Sequence, residues 1–213
     1  MMLERFHHIV VEGPIGAGKT SLARRLAELS GAELILEQTD DNPFLPRFYE
    51  DRRRYALPTQ LFFLVSRVEQ ARRTNQGEMP SETSVADFML EKDLLFAQAT
   101  LDAAELSLYL KIHESLAPPA STPDLVIYLQ ADPATLMERA KKRGRAYERT
   151  LNEGYLGELA RAYSEFFYHY EAAPLLIVNS EHLNFAEREG DFDLLVQRIR
   201  DMRGAREFFN MGA

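Results

Sequence analysis

Short apolar runs alternate along the chain with longer segments in which apolar residues recur every three or four positions. The runs have the length of buried strands, and they cover residues 6–12, 32–36, 84–88, 125–129 and 175–178. The longer segments have the period of an amphipathic helix, and they cover residues 18–29, 60–74, 89–97, 101–116, 152–171 and 192–202, with a further helix opening at Asp132-Pro133. This alternation predicts an α/β protein with a doubly wound, five-stranded parallel sheet and flanking helices.

The length of the chain, 213 residues, suits a single hydrophobic core. We therefore expect residues 1–213 to form one domain. The segment over 101–116 is more apolar than an exposed helix should be, so it is either buried or part of a dimer interface. No apolar run approaches the roughly 18 residues of a membrane span, and the first residues lack the apolar core of a signal peptide. A cytoplasmic protein with no membrane partner is the expectation.

The net charge and the amino-acid composition of the chain restrict the classes of ligand that it can bind. The formal net charge of -8 argues against non-specific nucleic-acid binding, which draws on a basic surface. A small anionic ligand would have to be held by a local cluster of cations. The chain has no cysteine, which excludes disulfides, thiolate catalysis and cysteine-ligated zinc. Its five histidines show no metal-ligand spacing.

A G-x-x-x-x-G-K-[ST] motif stands between the first apolar run and the first predicted helix, and it is typical of a phosphate-binding loop, or P-loop. Its glycines let backbone N–H groups turn towards an anion, and the helix that follows offers its positive N-terminus. The lysine adds charge and the threonine offers a hydroxyl to Mg²⁺, whereas a glycine-rich turn alone would leave both unexplained. The motif consists of Gly13, Pro14, Ile15, Gly16, Ala17, Gly18, Lys19 and Thr20.

Two carboxylates stand at the ends of predicted strands. Glu37 follows the second strand and Asp87 lies at the end of the third, and strand ends are where α/β proteins place their ligands. Asp87 has the position expected of an acid that organises a P-loop magnesium ion. From spacing alone, Glu37 could equally be a solvated charge, and Asp87 could cap the next helix.

Residues 40–54 are polar and rich in turn residues yet contain aromatic side chains, so we expect short helical pieces that line a cleft. Pro58 is predicted to start the next helix. Gln60 and Arg67 are seven residues apart on that helix and therefore share one side of it. Solvent exposure of both side chains is the alternative interpretation.

The helix that opens at Asp132-Pro133 ends in a basic segment. Five cations fall within the seven residues 139–145, among them Arg139, Arg143 and Arg145. Cations at a helix end favour its dipole and can simply be solvated. In an acidic P-loop protein we interpret them instead as a lid, over about residues 139–150, whose arginines neutralise charge on a transferred phosphoryl group.

Several separate stretches, in the same order, give the chain a family resemblance. They are the P-loop with Glu12 before it, Glu37 with residues 41–45 and 48–49, residues 59–64 with Arg67, residues 87–97, and residues 139–145. With these stretches the chain resembles the deoxyribonucleoside kinase family, particularly its bacterial members that act on purine deoxynucleosides. The resemblance runs from Ile9 to about Asn179. It implies phosphorylation of a deoxyribonucleoside, a purine more than a pyrimidine, at the 5′-hydroxyl.

On the acceptor side the resemblance implies roles for individual residues. Glu37 corresponds to the carboxylate that accepts the proton of the 5′-hydroxyl as that oxygen attacks the γ-phosphate of ATP. Gln60 corresponds to a glutamine that hydrogen-bonds the base edge. Tyr49 and Glu148 fall where the family holds the 3′-hydroxyl of the deoxyribose.

On the donor side the resemblance implies ATP and Mg²⁺ as cofactors. Lys19 then contacts phosphates, while Thr20 and Asp87 hold the metal ion. The reactants are ATP and a deoxyribonucleoside, and a homodimer is expected from the family. The lid arginines of the family correspond to Arg139, Arg143 and Arg145.

Two positions depart from the family pattern. Many members follow the acid after the third strand with an arginine, and here Asp87 is followed by Phe88. Many members also carry an aspartate where Lys92 aligns, paired with the arginine that corresponds to Arg67. With Lys92 in that place, the base-reading role of Arg67 and the base preference stay open.

Two other functions remain open on the sequence. A nucleoside monophosphate kinase of the thymidylate kinase type has an anionic acceptor that needs cations, whereas Glu37, Asp40 and Asp41 make the end of the second strand acidic. A nucleotide-sensing P-loop protein would bind ATP without turnover, and the lack of an arginine at Phe88 is compatible with that. A deoxynucleoside kinase is the leading hypothesis.

Overall fold

The computed structural model describes residues 5–75, 83–116 and 122–210, and these residues form a six-stranded parallel sheet. Its strands follow the order β2-β3-β1-β4-β5-β6, and every neighbouring pair is parallel. The predicted α/β fold with a doubly wound parallel sheet is confirmed, with β6 added to the five expected strands. The strands are β1 His8–Glu12, β2 Glu33–Ile35, β3 Ser84–Ala86, β4 Leu125–Gln130, β5 Leu175–Asn179 and β6 Arg206–Phe209.

Helices connect the strands and cover both faces of the sheet. None of the helices in the described ranges combines the length and the hydropathy of a membrane span. A short 3-10 helix, Ala146–Thr150, follows the sixth α-helix. The α-helices are α1 Lys19–Ser30, α2 Leu45–Glu50, α3 Arg52–Asn75, α4 Lys92–Thr100, α5 Ala103–Leu116, α6 Pro133–Arg143, α7 Glu153–Tyr168 and α8 Glu189–Asp201.

Alternate residues of the central strands bury two separate apolar layers. In β4, Ile127 packs in the layer that contains the leucines of α1 and α8, whereas Val126 and Tyr128 pack in the layer on the opposite face. The ring of Tyr128 stacks on that of Phe167 from α7, with centroids 4.3 Å apart. Because both faces are covered, the central strands form continuous apolar runs in the sequence.

The start of α3 differs from the prediction. Pro58 lies inside α3, not at the beginning of a helix. Asp51, the residue before α3, stabilises the first turn of the helix, because its side chain accepts a hydrogen bond from the Arg54 N–H at 3.2 Å. The helix continues through the proline, with Ala56 and Leu64 fully buried on either side of it, and tertiary packing of a helix can outweigh the loss of one backbone hydrogen bond.

The apolar segment that was expected to be buried or dimeric forms α5. One side of α5 packs on α3, with Tyr109 fully buried and Leu106 and Ile112 around it. Leu108 and Leu110, which lie on the two flanks of Tyr109, are exposed at 49% and 42% of their surface. Burial within the chain therefore accounts for part of this apolar face.

Burial along α8 predicts a sharp difference between two neighbouring leucines. Leu195 is fully buried in the main core, whereas Leu194 is 47% exposed. We expect Leu195→Ala to lower the free energy of unfolding by about 2–5 kcal/mol, because the change leaves a cavity. Leu194→Ala is the matched control and should change it by less than about 0.5 kcal/mol. Urea denaturation measures both, and equal losses would contradict this packing.

Candidate active site

Two cavities meet at the carboxyl edge of the sheet. The first, of about 350 Å³, lies beyond the ends of β2 and β3, and the second, of about 450 Å³, lies over the start of α1. Lys19 and Thr20 line both cavities, as do Arg143 and Arg145. One set of residues therefore faces two adjoining spaces, as the transfer of a group between two ligands requires.

The site residues predicted from the sequence come together around these cavities. The carbonyl oxygens of Gly13 and Pro14 accept hydrogen bonds from the Lys19 ammonium at 2.7 and 3.1 Å. The first cavity is lined by Ile15, Lys19, Thr20, Glu37, Tyr49, Gln60, Arg67, Asp87, Lys92, Arg143, Arg145 and Glu148. The second is lined by Gly16, Ala17, Gly18, Lys19, Thr20, Arg139, Arg143 and Arg145.

Backbone geometry explains two of the P-loop glycines. Gly16 has a φ of +86°, and a Cβ there would lie 2.3 Å from the carbonyl oxygen of Leu136. Gly13 has a φ of +151°, and a Cβ there would lie 2.5 Å from the carbonyl oxygen of Leu129. The loop thus packs directly on the backbone of β4 and α6, which leaves no room for a side chain. A close-packed glycine loop at a helix start fits phosphate oxygens.

Thr20 and Asp87, the predicted metal ligands, are in direct contact. The Thr20 hydroxyl donates a hydrogen bond to Asp87 Oδ2 at 2.5 Å, and Asp87 Oδ1 accepts one from the Glu37 N–H at 2.8 Å. Glu91, not Asp87, stands at the N-cap of α4. A hydroxyl and a carboxylate oxygen beside a P-loop are the donors that a magnesium ion takes.

The Glu37 carboxylate is held between two cations. Its Oε1 contacts the Arg67 guanidinium, and its Oε2 accepts a hydrogen bond from the Lys92 ammonium at 2.9 Å. Burial alone would raise the pKa of Glu37, but the two cations outweigh burial and hold this pKa well below its usual range. Glu37 is therefore a largely buried anion, with 12% of its side chain exposed, and not a solvated charge. Burial also lowers the pKa of Lys19 to about 8, with Lys92 as the second cause.

Arg67 is paired with a second carboxylate that the sequence analysis did not identify. Asp93 is fully buried and contacts the Arg67 guanidinium. The rings of Phe63 and Phe88 have their centroids 5.2 and 5.9 Å from the guanidinium carbon. The partner of Arg67 that the family pattern led us to expect at Lys92 is thus the next residue, Asp93. In the sequence, Asp93 is recognisable only as an acid in the first turn of a helix. Acids are common there because they interact favourably with the helix dipole.

Polar atoms without a protein partner mark the other end of the first cavity. Glu148 Oε1 accepts a hydrogen bond from Arg143 at 2.6 Å, whereas Glu148 Oε2 is buried and has no hydrogen-bond partner. The Gln60 side chain is buried as a whole and lines the same cavity. Buried polar atoms are almost always satisfied in a folded protein. These positions therefore suit a polar ligand in the cavity.

Arg139 anchors one wall of the second cavity. Its guanidinium donates hydrogen bonds to the carbonyl oxygens of Ser180, Glu181 and Leu183 at 2.6, 3.1 and 3.2 Å. Residues 183–187 line that cavity opposite the P-loop. Arg139 therefore fixes the segment after β5 against the lid helix, and it lines the cavity from that place.

The 3-10 helix after α6 contacts the loop that begins at Glu37. Arg145 donates a hydrogen bond to the Thr39 hydroxyl at 3.1 Å, and the Tyr147 hydroxyl donates one to Asp40 Oδ1 at 2.7 Å. The Tyr147 ring also stacks on Tyr49, with centroids 6.0 Å apart. The predicted lid therefore lies against the first cavity as well as the second.

A P-loop lysine shared by two adjoining cavities supports phosphoryl transfer, so the fold and the site define a P-loop phosphotransferase. A family comparison narrows the assignment. The family model for deoxynucleoside kinases matches residues 9–202, and the chain therefore belongs to the deoxynucleoside kinase family. The resemblance inferred from the sequence motifs is confirmed.

Individual relatives agree with this assignment over most of their length. The chain is 31% identical over 199 residues to a deoxyguanosine kinase of Bacillus subtilis, covering 91% of this chain and 96% of the relative. It is 32% identical over 191 residues to a deoxyadenosine kinase of Lactobacillus acidophilus, covering 83% and 87%. A solved deoxyadenosine kinase from M. mycoides shares the fold, with a TM-score of 0.80 at 24% identity over 92% of this chain and 100% of that one.

The buried pairs around Arg67 lead to a stability prediction. We expect Arg67→Met to lower the free energy of unfolding by about 3–5 kcal/mol, because Asp93 then becomes an uncompensated buried charge. Adding Asp93→Asn should recover a large part of this loss, since no unpaired charge remains at that position. Chemical denaturation of the two single variants and the double variant measures the coupling. Simple addition of the two losses in the double variant would contradict a direct pair.

Proposed function

We propose that the chain transfers the γ-phosphoryl group of ATP to the 5′-hydroxyl of a deoxyribonucleoside, with a purine base favoured. The observation that carries the proposal is the position of Glu37, an ion-paired carboxylate in the same cavity as the P-loop residues Lys19 and Thr20. A hydroxyl bound to Glu37 faces a phosphate bound in the P-loop, which is the arrangement that in-line transfer needs. ATP as donor fits membership of a kinase family.

Charge balance favours a neutral acceptor over a nucleoside monophosphate. An anionic acceptor bound beside Glu37 would have to compete with the ion pairs of Arg67 and Lys92, which is costly because these cations are buried. A neutral nucleoside leaves these pairs in place. Among the described residues of the first cavity, carboxylate partners are present for Arg67 (Glu37 and Asp93), Lys92 (Glu37), Arg143 (Glu148) and Arg145 (Asp40).

Glu37 orients the acceptor hydroxyl and receives its proton. A carboxylate has about four lone-pair sites on two oxygens, so Glu37 can accept the 5′-hydroxyl while it keeps its contacts with Arg67 and Lys92. Because these cations hold its pKa low, Glu37 is a weak base whose main contribution is orientation. That suffices for a loose transition state, in which little charge develops on the attacking oxygen before the P–O bond forms.

On the donor side the protein supplies position and positive charge. Lys19 and the lid residues Arg143 and Arg145 face the space where the β- and γ-phosphates lie, so they stabilise charge on the transferred group. Thr20 and Asp87 would hold Mg²⁺, which would neutralise charge on phosphate oxygens. Asp87 also fixes the Glu37 backbone, so the metal site and the acceptor carboxylate share one support.

The remaining residues of the first cavity recognise the nucleoside. The free oxygen of Glu148 and the nearby hydroxyl of Tyr49 suit the 3′-hydroxyl of a deoxyribose. Gln60 offers both a donor and an acceptor to a base edge, and Arg67 lies on the same side of α3. The purine preference is supported by relatives named deoxyguanosine and deoxyadenosine kinases.

A homodimer remains part of the proposal. On α5 and α3, which pack on each other, Leu108, Leu110 and Val65 are exposed at 49%, 42% and 45% of their surface. Exposed large apolar side chains can take part in a contact with another chain. Homodimer formation is an expectation that rests on the family and on these side chains.

The choice of acceptor is tested by measuring ADP release with Mg·ATP and a panel of acceptors. The panel contains deoxyadenosine, deoxyguanosine, deoxycytidine, thymidine and their 5′-monophosphates. We expect turnover with nucleosides, with the highest kcat/KM for a purine, because Arg67 and Lys92, the cations that contact Glu37, are already paired with carboxylates. Turnover confined to the monophosphates would contradict the proposal, and so would ATP binding without any turnover.

The role of Glu37 is tested by Glu37→Gln. We expect kcat to fall by about 10²–10⁴-fold, because the amide has one acceptor oxygen instead of two with which to hold Arg67, Lys92 and the hydroxyl, and it cannot take up the proton that the hydroxyl finally releases. ATP binding, measured by calorimetry, should change little. Glu50→Gln makes the same chemical change at an exposed position at the end of α2 and serves as the control. A kcat near that of the unaltered protein in Glu37→Gln would rule out this role.

A further inference from the structure

Glu12, the last residue of β1, is a fully buried carboxylate with three hydrogen bonds. Its Oε2 accepts one from the N–H of Gly13 at 3.0 Å and one from the hydroxyl of Tyr163 at 3.1 Å. Its Oε1 accepts one from the N–H of Met89 at 3.0 Å. A buried charge is tolerated only when such donors satisfy it. The chain therefore supplies three donors to keep one carboxylate at this place.

The three groups that donate hydrogen bonds to Glu12 lie in segments that are not connected to one another by backbone pairing within the sheet. The β1–β3 ladder ends at the pair Val10 and Ala86. Beyond it, β1 continues into the P-loop, whereas the chain after β3 runs through Asp87 to a turn. Met89 lies in that turn, and α4 begins only at Lys92, three residues later than the sequence pattern predicts. The Glu12 carboxylate thus bridges the two chains where their backbone pairing has stopped.

Both bridged segments hold functional groups. Gly13 opens the P-loop, and Met89 follows two residues after Asp87. Asp87 in turn accepts hydrogen bonds from the Thr20 hydroxyl at 2.5 Å and from the Glu37 backbone at 2.8 Å. A shift of the Met89 backbone would therefore move Asp87 relative to Thr20, although Glu12 itself lines neither cavity described above.

We propose that Glu12 is a positioning residue that sets the distance between the P-loop and Asp87, and thereby the magnesium–nucleotide site. This inference rests on the proposed function for the identity of the metal and the nucleotide. Glu12 does not touch the reactants. It acts through two backbone N–H groups, one on each side of the site.

The chemistry of the donors explains why a carboxylate is needed. An ionised carboxylate only accepts hydrogen bonds, which matches two backbone N–H groups and one hydroxyl. A glutamine would turn an NH₂ group towards one of these donors. The Tyr163 hydroxyl could rotate and accept from that group, but a backbone N–H of Gly13 or Met89 cannot. One of these two segments would then have to move away.

The test compares Glu12→Gln with two controls. Tyr163→Phe removes the hydroxyl donor and keeps both backbone bonds. Asp124→Asn removes a similar carboxylate at the other end of β1, where Asp124 Oδ2 accepts the N–H groups of His7 and His8 at 2.6 and 2.8 Å. The readout is the dissociation constant of ADP with and without Mg²⁺, measured by calorimetry. Each constant is corrected for the folded fraction of the variant.

We expect Mg²⁺ to strengthen ADP binding in the unaltered protein and in both controls. In Glu12→Gln that gain should shrink by about tenfold, the size expected for the loss of one hydrogen bond to a charged acceptor. The KM for ATP should rise more than the KM for the nucleoside. A general loss of folding would lower the thermal midpoint without removing the effect of Mg²⁺ on the folded molecules.

Other results would overturn the inference. They are an unchanged Mg²⁺ gain in Glu12→Gln, an equal loss in Tyr163→Phe or Asp124→Asn, and an unaltered protein whose ADP affinity does not depend on Mg²⁺. If Glu12→Gln does not fold, Glu12→Asp keeps the charge but is too short to bridge both N–H groups, so it should show the same defect. Because binding is measured without turnover, an absence of nucleoside phosphorylation would contradict the proposed function while leaving this test intact.

Discussion

Four charged side chains of alternating sign lie in one row at the carboxyl edge of the sheet, and the charge of each is compensated by its neighbours. Lys92 contacts Glu37, Glu37 contacts Arg67, and Arg67 contacts Asp93. Removing an ion from water costs several kcal/mol, which partners offset only when their geometry is good. The row therefore ties α3, which carries Arg67, and α4, which carries Lys92 and Asp93, to the end of β2. The walls of the first cavity are fixed by this constraint.

The strand order brings three carboxylates to one edge and gives each a different set of donors. With β2, β3 and β1 adjacent, the strand ends place Glu37, Asp87 and Glu12 near one another. Glu37 meets two cations, Asp87 meets a hydroxyl and a backbone N–H, and Glu12 meets two backbone N–H groups and a phenol. Under the proposed roles, the surroundings and not the residue type separate a carboxylate that faces the acceptor from one that faces a metal and one that holds only the backbone.

The sequence predicted those features that depend only on residues close to one another in the chain. The buried central strands appear as apolar runs, and the P-loop needs its own glycines, so both were identified before the structure. The partnership of Arg67 and Asp93 joins two helices, and nothing in either segment distinguishes Asp93 from an ordinary acid in a first helical turn. β6 is short and half polar, and it is held by Arg206, whose guanidinium reaches the carbonyl oxygens of Phe167 and Tyr170 at 2.8 and 2.6 Å. Pro58 suggested a helix start because proline is common in the first turn of a helix. The packing of α3 on other elements cannot be recognised in its own sequence.

The lid and the acceptor loop are in direct contact, which bears on how the two cavities work together. The loop that begins at Glu37 continues to Thr39 and Asp40, and these two residues receive hydrogen bonds from Arg145 and Tyr147 of the lid segment. Under the proposed function this loop carries the acceptor carboxylate, and Arg145 and Tyr147 join it to the lid segment. The Glu37 backbone is also bound to Asp87, which accepts the Thr20 hydroxyl. The loop at Glu37 is therefore hydrogen-bonded both to the segment after α6 and, through Asp87, to the start of α1, so a displacement of either one would strain a hydrogen bond to this loop.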